Sequence, residues 1–292
     1  MVQSSENNLM KGRVCVITGA TSGIGKATAL GLAKIGATIV IVGRDQKRAE
    51  QARDEIRLQS GNQNVDVLTA DLSSRAEIML LALNIKARYP QLHVLINNAG
   101  ISPIKRSVTV DGIEAIFAVN YLAPFLLTNL LLDPLIGSAP ARVVNVAGDF
   151  HRKANIQFDD LMSEKKYSVS HANNQAKLAL IMFTYELARR LAGKKVTANC
   201  LHPGAVSTDA PLKDPDLSPT ARIMYNLVRP FFLSPAKGAQ TSIYLASSPE
   251  VEDISGKYFI KKNQVLSSPE SYDEGKARRL WEVSEKLTGL AG

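Results

Sequence analysis

The chain has 292 residues, 45% of them hydrophobic, which is enough for one large α/β domain around a buried sheet without a second domain. A net charge of +8 does not make it a nucleic-acid binder, because basic residues alternate with acids from Arg44 to Arg57 and no arginine–aromatic interleaving is present. Two cysteines in apolar, strand-like runs and four histidines without zinc spacing exclude a disulfide framework and a structural metal centre.

Residues 1–10 are polar apart from Val2, Leu9 and the methionines, and they lack the basic-then-apolar order of a secretory signal. They are expected to form a flexible tail ahead of a single dinucleotide-binding domain over residues 11–292. The longest apolar stretch, Leu122–Leu132, is interrupted by Pro124, Thr128 and Asn129 and is too short to span a bilayer, so a cytoplasmic protein is expected.

Short runs rich in β-branched residues predict strands at Val14–Thr18, Thr38–Val42, Val65–Ala70, Val94–Asn97, Val143–Ala147 and Val196–Leu201, with Lys257–Ile260 as the last. Between them, amphipathic stretches predict helices at Gly25–Lys34, Gln46–Leu58, Arg75–Arg88, Gly112–Ile136 and Ala172–Leu191. That order predicts an α/β fold, a parallel sheet of about seven strands with helices on both faces and right-handed crossovers. A proline-punctuated insertion over residues 209–233 carries Leu212, Leu217, Ile223, Met224, Leu227, Phe231 and Phe232. It follows the carboxyl end of a strand, where ligands bind in such sheets, and reads either as ordinary packing or as a lid over an apolar small-molecule substrate.

After the first strand, Thr18-Gly19-Ala20-Thr21-Ser22-Gly23-Ile24-Gly25 runs straight into a helix. The glycines permit positive φ and close backbone approach, and the helix start offers unpaired N–H groups and a positive dipole end to a pyrophosphate. The second strand ends Val42-Gly43-Arg44-Asp45. An acid at that strand end would accept from the ribose 2′-hydroxyl of NAD. Gly43 stands there instead, followed by Arg44, with Lys47 and Arg48 as further cations, so NADP(H) is preferred over NAD(H). Asp45 reads as the N-cap of the next helix.

Together these residues resemble the short-chain dehydrogenase/reductase family, and within it the retinol-dehydrogenase-like branch. The landmarks are the Thr18–Gly25 loop, Asp71-Leu72, Asn97-Asn98-Ala99-Gly100, Asn120, Lys177, and Pro203-Gly204 with Thr208, in the family's order over residues 11–260. The resemblance implies a doubly wound Rossmann-type sheet. It also implies that Asp71 and Leu72 flank the adenine, that Asn98, Ala99 and Gly100 line the cofactor groove, and that Pro203, Gly204 and Thr208 hold the nicotinamide end. By the same resemblance Lys177 binds the nicotinamide ribose and Asn120 carries a proton-relay water. A homo-oligomer is compatible with this reading.

Two positions depart from the family pattern. Where the fifth strand normally ends in a serine pair, this chain has Ala147-Gly148, and where a tyrosine normally stands four residues before the lysine, it has Asn173. Helical spacing puts 173 and 177 on one face, where an ammonium would draw a phenol's pKa down toward neutrality. An amide exchanges no proton at such pH. Removing a general acid costs about 100- to 10,000-fold in rate, and losing an oxyanion donor costs roughly 100- to 1,000-fold. Tyr167, His171, His151 and Asp149 are the neighbours from which a substitute could come, although each also reads as a solvated or loop-anchoring side chain.

Three classes of function remain open. One is hydride transfer to a substrate that needs no proton at oxygen, such as an iminium ion or an activated alkene. Another is a non-redox cyclase, isomerase or lyase on the same scaffold, and the third is an NADP(H)-binding protein without turnover.

Overall fold

The computed structural model describes residues 8–207, 212 and 215–290. Eight strands form one sheet in the order β3-β2-β1-β4-β5-β6-β7-β8. They are β1 (Val14–Thr18), β2 (Thr38–Gly43), β3 (Val65–Thr69), β4 (Val94–Asn97), β5 (Ala141–Val146), β6 (Val196–His202), β7 (Tyr258–Ile260) and β8 (Asn263–Val265). Every neighbouring pair is parallel except β7 and β8. The eighth strand corrects the expectation that the sheet ends at Ile260. Its hairpin turns on Lys261 and Lys262, both at positive φ (50° and 68°), positions usually filled by Asn or Gly, so no turn signal marked it.

Helices α1 (Gly23–Lys34), α2 (Gln46–Ser60) and α9 (Pro235–Ser247) cover one face of the sheet. Cys15, Ile17, Ile39, Ile41, Ile96 and Val144 point toward them. The alternate residues Val16, Val40, Val42, Leu95 and Val143 point to the other face, against α3 (Arg75–Arg88), α5 (Ala123–Leu130), α7 (Val169–Arg190) and α10 (Glu274–Thr288). Strand residues buried on both sides explain why the strands read as continuous apolar runs. Both cysteines are buried and free, as their apolar settings suggested. Met10, placed in the tail by the sequence, is buried, and its N–H donates to Ile35 O at 2.9 Å.

The long helix expected over 112–136 is instead broken. A short α4 (Ala115–Phe117) leads into a π-helical turn, Ala118–Leu122, followed by α5 and by α6 (Leu132–Gly137). The buried Glu114 carboxylate caps the start of α4, accepting from Ile116 N and Phe117 N at 2.9 and 2.8 Å, and burial raises its pKa. The π turn is one of the devices that re-aim a side chain at a functional site, and here it carries Asn120.

The sheet order reverses between β1 and β4, which places a crevice at their carboxyl ends. After β6, the residues that lead into the insertion are pinned by a bridge between Val206 and Leu233, with Leu233 N donating to Ala205 O and Ser207 N to Leu233 O. Within the insertion, α8 (Pro219–Val228) buries no residue. Ile223, Met224, Leu227 and Phe231 are exposed.

Candidate functional site

The glycine-rich loop turns tightly between β1 and α1. Gly19 and Gly23 sit at φ +65° and +56°, where a side chain would be strained. A Cβ on Gly19 would lie 2.8 Å from Ala99 Cα, and one on Gly25 would collide with Gly19 O and the Asn98 amide. Ser22 occupies the N-cap of α1 without a side-chain cap bond, leaving the first N–H groups of the helix open to a ligand. Thr21 and Ile24 lie half-buried between these glycines.

Asn98 and Ala99 act on this loop from β4. The Thr18 hydroxyl donates to Ile96 O and accepts from Asn98 N and Ala99 N at 3.0 and 3.1 Å. The Asn98 amide in turn donates to Thr18 O and Gly19 O. The sequence reading put Asn98 in the groove wall; the structure shows its side chain holding the loop, while Thr18 is a partner the reading missed.

At the end of β2, Gly43 is buried, and a Cβ there would collide with the Thr21 methyl. A side chain at this position would have to displace Thr21 of the glycine-rich loop. Arg44 is exposed and has no ion-pair or hydrogen-bond partner among the described residues, and Asp45 caps α2 by accepting from Arg48 N at 2.9 Å. The Asp71 carboxylate accepts from Ser73 N and Oγ, and Leu72 packs against the core, so this pair forms a fixed turn after β3.

The second part of the site gathers on α7. Lys177 donates to Val146 O at 3.0 Å, and burial alone lowers its pKa to about 8, with no carboxylate to offset the desolvation. One turn earlier, Asn173 Oδ1 accepts from Asn120 Nδ2 at 3.1 Å, and Asn173 Nδ2 donates to Ser102 Oγ at 2.7 Å and to Val169 O at 3.0 Å. Asn120 also exchanges two hydrogen bonds with the backbone of Ile101. Gly100 sits against both ends of the group: a Cβ there would be 3.3 Å from Asn120 Oδ1 and 3.9 Å from Lys177 Nζ. Gly100, Ser102, Asn120, Asn173 and Lys177 are thus brought together from three separate segments. Ser102 was not anticipated, and only the folded chain shows its contact.

Gly148 adopts φ +84°, and its carbonyl accepts from Tyr258 OH at 3.0 Å and from His151 Nδ1 at 3.3 Å. His151 is completely buried, and burial holds it and His202 below the usual histidine range. Of the neighbours considered as substitutes for an acid, three are committed elsewhere: Tyr167 donates to Pro103 O, Asp149 pairs with Arg152 and accepts from Tyr258, and His151 anchors the turn at Gly148, while His171 lies in the first turn of α7, where its backbone N–H donates to the Ser168 cap. Pro203 and Gly204 follow β6, with Gly204 at φ +88°, where a Cβ would lie 2.6 Å from Leu233. Thr208 lies outside the described residues.

Among the described residues no cluster of side chains could hold a metal ion, and no helix is long and apolar enough to cross a membrane. Comparison with known proteins agrees with the geometry. A family model described as short chain dehydrogenase matches residues 13–215. Human Retinol dehydrogenase 14 is 43% identical over 99% of this chain and 90% of its own length. Human Retinol dehydrogenase 12 is also 43% identical, over 97% of this chain and 89% of its own. Among solved structures, an uncharacterized protein from Mycobacterium Paratuberculosis superposes with a TM-score of 0.76 at 32% identity, covering 96% of this chain and 94% of that one. With a family model matching more than half of its length and relatives 43% identical over nearly all of it, the chain belongs to the short chain dehydrogenase family of nicotinamide-dependent oxidoreductases.

Proposed function

We propose that the protein is an NADP(H)-dependent oxidoreductase of altered mechanism, acting on an apolar small molecule whose reduction needs no proton at oxygen, such as an activated alkene or an iminium ion. The observation that carries this reading is Asn173: both ends of its amide are engaged, and it has no proton to give at neutral pH.

The residues present fit the nucleotide. Thr21, Ser22, Gly23, Ile24 and Gly25 would cradle the pyrophosphate, Arg44 would meet the 2′-phosphate that the buried Gly43 leaves room for, and Lys177 would hold the nicotinamide ribose. When bound, NADPH would supply the hydride. The chain's own task is then to orient the acceptor carbon and keep water away. The exposed apolar side chains of α8 supply a surface suited to a lid over an apolar substrate.

One observation favours a second reading. A lysine whose pKa is pushed down to about 8 can abstract a proton, which suits an isomerase or lyase. Deuterium at the transferring position of NADPH separates the two. Label in the product of the true substrate supports hydride transfer; full turnover with no label and no NADPH consumption overturns it in favour of the non-redox reading. Tight nucleotide binding with no turnover of any co-purifying ligand would leave a binding protein.

A further inference from the structure

Ser102 stands at the open end of a directed chain of hydrogen bonds. Asn120, buried in the π turn, donates to Asn173 Oδ1, and Asn173 donates to Ser102 Oγ at 2.7 Å. The serine oxygen is therefore an acceptor within the protein, while its own hydrogen has no acceptor among the described residues and the residue is exposed. A hydroxyl whose oxygen already accepts a hydrogen bond is a better donor, because consecutive bonds polarise one another. The chain stands one helical turn from Lys177, and Gly100, two residues before Ser102, lies beside both: a Cβ on it would be 3.3 Å from Asn120 Oδ1 and 3.9 Å from Lys177 Nζ.

We propose that the Ser102 hydroxyl grips the carbonyl oxygen of the substrate, which deepens the functional reading above by making the activating group of the alkene a carbonyl: an α,β-unsaturated aldehyde or ketone. An iminium ion offers no acceptor for this donor. Hydride added at the β carbon leaves an enolate, which takes its proton at the α carbon from solvent after the transfer; a serine hydroxyl is far too weak an acid to protonate the oxygen at neutral pH, so its role is recognition and support of negative charge. Asn120 and Asn173 fix its direction, which takes the place of a proton relay with a stationary donor.

The test uses para-dimethylaminocinnamaldehyde, an enal whose visible absorption moves to longer wavelength when its carbonyl oxygen accepts a hydrogen bond. It is titrated into the native protein with NADP+, where no turnover occurs, and into Ser102→Ala and Ser102→Thr. The native protein and Ser102→Thr, which keeps the hydroxyl, should shift the band. In Ser102→Ala the shift should collapse and affinity fall by about 2- to 12-fold, the loss of one neutral hydrogen bond. An undiminished shift in a folded Ser102→Ala protein overturns the proposal, as does a native protein that produces no shift. Calorimetric titration of NADP+ is run separately. If the nucleotide fails to bind but the enal still shows a Ser102-dependent shift, the oxygen site stands and the cofactor reading falls.

Discussion

Asn120 donates an amide hydrogen to Asn173 across 3.1 Å, joining the π turn to α7. Lys177 stands four residues further along the same helix, so the amide pair and the ammonium share one corner.

Conventional carbonyl reduction should be marginal. Native protein with NADPH and a panel of saturated aldehydes and ketones should show little NADPH oxidation, and the double variant Gly148→Ser, Asn173→Tyr should show more. Gly148→Ser alone should lower stability by about 1–2 kcal/mol in urea unfolding, since the residue sits at φ +84°. A rapid native reductase would show that another group supplies the proton.

Cofactor choice should rest on Arg44. Native protein should bind NADPH more tightly than NADH, and Arg44→Ala should lose about 1.5–3 kcal/mol of NADPH affinity with NADH unchanged, the size of one charge-assisted contact. Equal native affinities by calorimetry would refute this assignment.

The cradle has no room for a methyl group at Gly25. Gly25→Ala must displace Gly19 O or the Asn98 amide, so nucleotide binding should fall at least about tenfold and stability should drop by about 1–3 kcal/mol. Gly137→Ala is the control: nothing lies within 4 Å of a Cβ there, and both readouts should stay near native.

Lys177 sets a pH window. Its folded pKa of about 8 lies below the ordinary 10.5, so between those values the unfolded chain binds the extra proton and stability rises with pH. Below about 8 both states are protonated and the burial penalty is present in full. Urea midpoints of the native protein, minus those of Lys177→Met at each pH, should therefore climb through this window. Nucleotide affinity should run the other way, weakening above about 8 as the ribose-binding ammonium loses its proton. A flat difference curve would show that the ammonium is not desolvated.

Much of this was legible in the sequence because its signals are local. Short apolar runs rich in β-branched residues located the first seven strands, the glycine spacing located the loop after β1, and Asp45 showed itself as a cap. The breaks came where local signals point the wrong way. Gly112–Ile136 carries helical periodicity through a region that the chain interrupts with a π turn at Ala118–Leu122, and the Lys261-Lys262 hairpin lacks the residues that announce one. Ser102 and Thr18 were beyond reach for a different reason. Their roles are contacts across 71 and 80 residues, and no spacing rule encodes them.

The Thr18 hydroxyl has a kinetic consequence. By tying the end of β1 to three backbone groups of the neighbouring strand and its extension, it sets the loop's shape before any nucleotide arrives. Association then involves no slow ordering of the cradle and should proceed in one phase, at a rate on the order of 10⁵–10⁷ M⁻¹s⁻¹ set by orientation and by the chain's positive charge. Discrimination between nucleotides would consequently reside in how long each one stays.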